Sequence, residues 1–73
     1  MTFTKETTRA QYEQWINSLG ASKHAALFII NTLTTGENKV AGKVTVCNEI
    51  AKLAERGIYD TIWSEAQKLG YNG

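Results

Sequence analysis

The sequence predicts an all-α fold, a small bundle of three to four short helices, on three observations. Proline is absent from all 73 residues, so nothing in the chain forbids a helix from continuing. Apolar residues recur at helical spacing in four successive segments. A glycine stands at or just beyond the end of three of them, and a glycine-bearing turn follows the fourth, where a left-handed terminus favours a residue without a side chain.

The first segment has a start, a stripe and a stop. Thr8 and Gln11 have the spacing of a capping box, in which the hydroxyl and the amide satisfy each other's backbone N–H groups. Tyr12, Trp15, Ile16 and Leu19 fall at i, i+3, i+4 and i+7, and Gly20 follows. The reading is a helix over 8–19.

A second helix is expected over 22–34, opened by Ser22 as N-cap and running through Ala25, Ala26, Leu27, Phe28, Ile29, Ile30 and Leu33. Its apolar residues cover nearly the whole circumference, which makes it the most buried element. The rival is a strand from Leu27 to Thr34, because Phe28, Ile29, Ile30, Thr32 and Thr34 favour extended backbone. Helix is preferred because the apolar run continues backwards into alanines and the neighbouring segments are helical.

After a turn at Thr34–Asn38, with Asn38 as cap, Val40, Val44, Cys47, Ala51 and Ala54 form a long stripe beside Ala41, Ile50 and Leu53. It predicts a helix over 39–56, stopped by Gly57. Gly42 lies inside and costs up to about 1 kcal/mol relative to alanine. Either the helix begins after it or a neighbour approaches closely there. The last segment, capped by Asp60 and carrying Ile62, Trp63, Ala66 and Leu69 after Tyr59, predicts a helix over 60–69, with Tyr71 to Gly73 as a fraying tail.

A chain this short holds one core, so residues 1–73 read as one domain. Small cores rarely leave more than about 3–5 kcal/mol of net stability without staples. The single cysteine, Cys47, provides no disulfide, and the expected compartment is a reducing cytoplasm. The first residues show no secretory signal. The apolar run Ala25–Ile30 is far short of the roughly 20 residues of a bilayer helix. The expected core places large aromatics at its two ends and small residues, Ala25, Ala26, Ala41, Ala51 and Ala54, in its middle.

Chemistry-bearing motifs are thin. The stretch Gly36–Thr45 fails as a phosphate-binding loop, since five residues separate its glycines and Val44 follows Lys43, where that loop needs four and a hydroxyl. Cys47 and His24 are one candidate nucleophile and base. The stronger reading makes Cys47 a small core hydrophobe and His24 a surface residue. One cysteine and one histidine cannot assemble a zinc site, and the dispersed carboxylates form no calcium loop. No catalytic residue, metal or cofactor is expected.

Function therefore reads as non-enzymatic protein–protein interaction: an inhibitor or adaptor occupying a partner's surface through a helical face, with self-association as a variant. Tyr12, Trp15, Tyr59 and Trp63 are the candidate contact residues, because aromatics supply a disproportionate share of interface energy. The alternative is a DNA-binding helix-turn-helix regulator using the second and third helices, with Lys39, Lys43 and Thr45 against DNA. Eight basic against seven acidic residues, a net charge of +1, supply little of the attraction that drives such binding.

Overall fold

A computed structural model describes residues 2–37, 39 and 41–72. Among them the chain forms four helices: α1 (Arg9–Ser18), α2 (Ser22–Thr34), α3 (Lys43–Glu55) and α4 (Tyr59–Lys68). The molecule is 17 Å thick in its shortest dimension, two helix layers. α2 is the centre and packs closely against the other three; α3 and α4 also pack against each other, while the backbone of α1 comes close to α2 alone among the helices and reaches α3 through side chains. No described helix is long and apolar enough to cross a membrane.

The start of α1 follows its sequence signature. The Gln11 N–H donates to Thr8 Oγ1 at 3.2 Å, and the Thr8 N–H donates to Gln11 Oε1 at 2.9 Å. Two orphan donors of the first turn are thereby satisfied. Gly20, at φ +61°, turns the chain towards α2. Ser22 is not the cap of that helix but its first residue; the N-cap position is Ala21, already helical and without a side-chain bond. The Ser22 hydroxyl is buried and donates to the Leu19 carbonyl at 2.7 Å, fastening the α1–α2 corner.

Residues 27–34 are helical, and the strand is excluded. The threonines at its end suit the helix because Thr34 Oγ1 bonds the Ile30 carbonyl and Thr35 Oγ1 that of Asn31, the back-bonding open to a hydroxyl one turn on.

The third helix is shorter than 39–56. Gly42 is its N-cap, in extended conformation, and residues 39 and 41 lie outside it. The Ala41 N–H is already committed to the Leu33 carbonyl at 3.1 Å, which draws the connection back over the end of α2. A Cβ at Gly42 would meet nothing within 4 Å, so close packing is not the reason for glycine there. The cap expected at Asn38 and the stripe position Val40 lie outside the described residues.

α3 and α4 end alike. Gly57 (φ +73°) and Gly70 (φ +109°) are left-handed. Ile58 donates to the Leu53 carbonyl at 2.8 Å and Tyr71 to that of Ala66 at 3.0 Å, each closing a Schellman motif. Tyr71 is thus pinned and half-buried rather than frayed. Asp60 is not the cap of α4, which begins at Tyr59 with Ile58 in the N-cap position. It lies in the first turn, where a carboxylate favours the positive end of the helix dipole.

The core joins all four helices. Ala25, Ala26, Ile62 and Ala66 are fully buried, with Ile29, Ile30, Val46, Cys47, Ile50 and Ala51 around them and Trp15, Ile16 and Leu19 from α1. Ala41 and Ala54 are only half-buried. The middle is therefore alanines interleaved with isoleucines. The alanines permit close helix approach, and the isoleucines fill the remaining volume.

Candidate functional site

The residues before α1 form an arm that is tied to α3. Asn48, on α3, grips the Phe3 backbone twice: the Phe3 N–H donates to Asn48 Oδ1 at 2.7 Å, and Asn48 Nδ2 donates to the Phe3 carbonyl at 3.0 Å. An amide side chain here replaces one rung of a β-ladder. The Phe3 ring, 4% exposed, meets Trp15 edge-on at a centroid distance of 4.6 Å and Tyr12 at 6.4 Å. Beyond it the chain turns, with the Thr7 N–H bonded to the Thr4 carbonyl at 3.1 Å and the Thr4 N–H to Thr7 Oγ1 at 2.9 Å. That turn delivers Thr8 to its capping position.

Arm, α1 and the start of α3 enclose a groove of about 560 Å³, within the size range of ligand sites. Phe3, Thr4, Lys5, Thr7 and Thr8 contribute from the arm, Arg9, Tyr12 and Glu13 from α1, and Lys43, Val44 and Cys47 from α3. Lys43 Nζ stands 4.1 Å above the centroid of the Tyr12 ring, a cation–π contact that orders both side chains. Val44 beside it is 38% exposed, one of the few large apolar side chains so open to solvent.

Burial pushes the Cys47 thiol above its ordinary range, and the nearby Lys43 ammonium pulls less strongly the other way. Burial, and secondarily the charge Cys47 would carry, raises the Tyr12 phenol. Cys47 is therefore a protonated thiol at neutral pH, the opposite of an activated nucleophile. His24 is exposed in the first turn of α2. No group of three or more His, Cys, Asp and Glu comes together among the described residues.

The four candidate aromatics do not form one patch. Tyr12 lines the groove and Trp15, 8% exposed, lies in the core beneath Phe3. Trp63 is half-buried in a second group, 5.7 Å from Tyr71, which itself lies 5.3 Å from Phe28. Tyr59 is 42% exposed next to Ile58 at 38%. Of the residues considered for DNA, Lys39 is exposed in the connection, Lys43 is engaged over Tyr12, and Thr45 is exposed on α3.

Sequence reasoning missed Phe3, Asn48 and Val44 as parts of a site. Phe3 is a lone apolar residue in a polar run ahead of a capping box, and Asn48 is an amide inside an apolar helix. Both signals exist, but neither names the other residue as partner. Comparison with protein-family models, with curated proteins and with solved structures returned no match.

Proposed function

We propose that this protein is a non-enzymatic protein-binding module, a small inhibitor or adaptor that acts by occupying a partner's surface, and that its contact face is the groove between the arm, α1 and α3. The observation that carries the reading is the pairing, in one concavity, of an ordered Tyr12 ring with the exposed Val44 side chain. A concave wall with aromatic and aliphatic anchors offers a partner apolar area that is already fixed in place, so little ordering entropy is lost on binding. The protonated, buried state of Cys47 supports binding over catalysis. The free thiol also fits a reducing, cytoplasmic setting.

Duplex DNA has weaker support. α2 and α3 are separated by the eight residues 35–42, where a helix-turn-helix uses three or four. The three-residue turn through Gly57 joins α3 to α4 instead. As a reading helix α4 would bring Asp60 and Glu65 against Lys68 alone, a charge balance that opposes phosphate.

The test is capture from lysate of the native cell with the wild-type chain, Val44→Asp and Tyr59→Asp. The reading expects a protein retained by wild type and Tyr59→Asp and lost from Val44→Asp. Undiminished retention by Val44→Asp, or retention of duplex DNA in place of protein, overturns it.

A further inference from the structure

We propose that the groove receives an acidic segment of the partner protein, with carboxylates against the ammonium groups of Lys5 and Lys43 and an apolar side chain on Tyr12 and Val44. This rests on the groove being the binding surface and adds the chemistry of what enters it.

The groove is rich in donors and poor in acceptors. Its only carboxylate among the described residues, Glu13, is engaged by Arg9 at 2.9 Å. Neither Lys5 nor Lys43 is paired with a carboxylate among the described residues. Three threonine hydroxyls on the arm side, those of Thr4, Thr7 and Thr8, each accept a backbone N–H. Because each hydroxyl also carries a proton, this bonding leaves three O–H donors for a ligand. Where α3 opens onto the groove its first turn has no side-chain cap and no acidic residue, so the positive end of that helix adds to Lys43 instead of being offset by a carboxylate.

Size and lining then select among anions. About 560 Å³ is many times the roughly 30 Å³ share of one water in the liquid, far more than an inorganic ion fills. The apolar side chains of Phe3, Tyr12 and Val44 have no role with such an ion. A nucleic-acid backbone would need a basic track extending past the groove, and the whole chain carries only +1. A peptide alternating carboxylates with apolar side chains meets both halves of the lining.

Phage-displayed random octapeptides panned on the full chain, followed by fluorescence anisotropy of the isolated peptides, test this. Enrichment of Asp and Glu together with Leu or Phe is expected. Replacing Lys5→Gln and Lys43→Gln together should weaken binding about tenfold, through two exposed ion pairs each contributing up to about fivefold, and affinity should fall with salt. Tyr59→Asp should bind as wild type. Neutral or basic enrichment, no enrichment, or indifference to the double lysine variant overturns the inference, as does binding of a single-stranded oligonucleotide in place of any peptide. Neutral peptides that still depend on Val44 would leave the groove as the contact face and remove only the acidity; peptides indifferent to Val44→Asp would remove both.

Discussion

In one aromatic group Phe3 meets Trp15 edge-on at 4.6 Å, with both residues under 9% exposed; in a second, Tyr71 lies tilted against Phe28 and Trp63, and all three residues are half-buried. The side chains are of one kind, but the chain closes the two groups differently. The Phe28–Trp63–Tyr71 group is completed by the helix stop itself, since the Schellman turn at Gly70 carries Tyr71 back onto the end of its own helix. The Phe3 group is completed by Asn48, 45 residues away. A local closure covers the α2–α4 seam. A distant closure lays an arm across two helices and creates a groove.

The contrast is broken most forcefully by Phe3→Ala. A buried phenylalanine truncated to alanine costs about 3 kcal/mol or more, most of what a core this size holds. Thermal melts should show the drop, and Trp15 emission should shift to the red as its cover is lost. A small change confined to the arm would mean that the arm is not part of the cooperative core.

Asn48→Ala keeps the ring and removes the grip. Two backbone groups of Phe3 then lose their partners, at about 1–3 kcal/mol, and hydrogen exchange at Phe3 should accelerate with the helices intact. Unchanged protection there would show that the ring alone holds the arm.

Tyr71→Ala should cost about 1 kcal/mol or less, because a half-buried ring surrenders only part of its area on truncation. Urea titration would measure it, and a loss equal to that of Phe3→Ala would erase the distinction between the two groups.

The smallest expected effect is alkaline. Cys47 and Tyr12, both on the groove side, hold their protons more tightly in the folded chain than their ordinary values of 9.0 and 10.0. The unfolded chain releases those protons first, so their contribution is complete below about pH 9.0 and is lost as pH rises through the raised folded values. Urea midpoints between pH 7 and pH 11 should decline, and Tyr12→Phe should flatten the decline; an unaltered slope would place its origin elsewhere.

The helices were legible because periodicity, capping and glycine stops are short-range signals, and at Thr8–Gln11, Gly20, Gly57 and Gly70 they agree with one another. The second helix begins at Ser22 as expected, but the cap assigned to Ser22 and the starts expected at 39 and 60, where the helices begin at Lys43 and Tyr59, fail for a shared cause. A residue able to cap attracts that role in the sequence, while the backbone is already helical at Ala21, spends the Ala41 amide on Leu33, or leaves the Gly57 turn at Ile58. The site was less legible because it is tertiary. In the sequence Tyr12 stands out for its ring, and Lys43 for its charge under another function. They meet where α1 and α3 approach, with the arm's return to Asn48 closing the groove beside them, and no spacing in the chain encodes that contact.

The groove is the face at which we propose that partners meet this chain. The most direct measurement is the footprint of the captured partner on the ¹⁵N-labelled protein. Amide shifts concentrated at Thr4–Thr8, Tyr12 and Lys43–Cys47 are predicted. Shifts concentrated instead at Tyr59, Trp63 and Tyr71, with the arm unmoved, would contradict it.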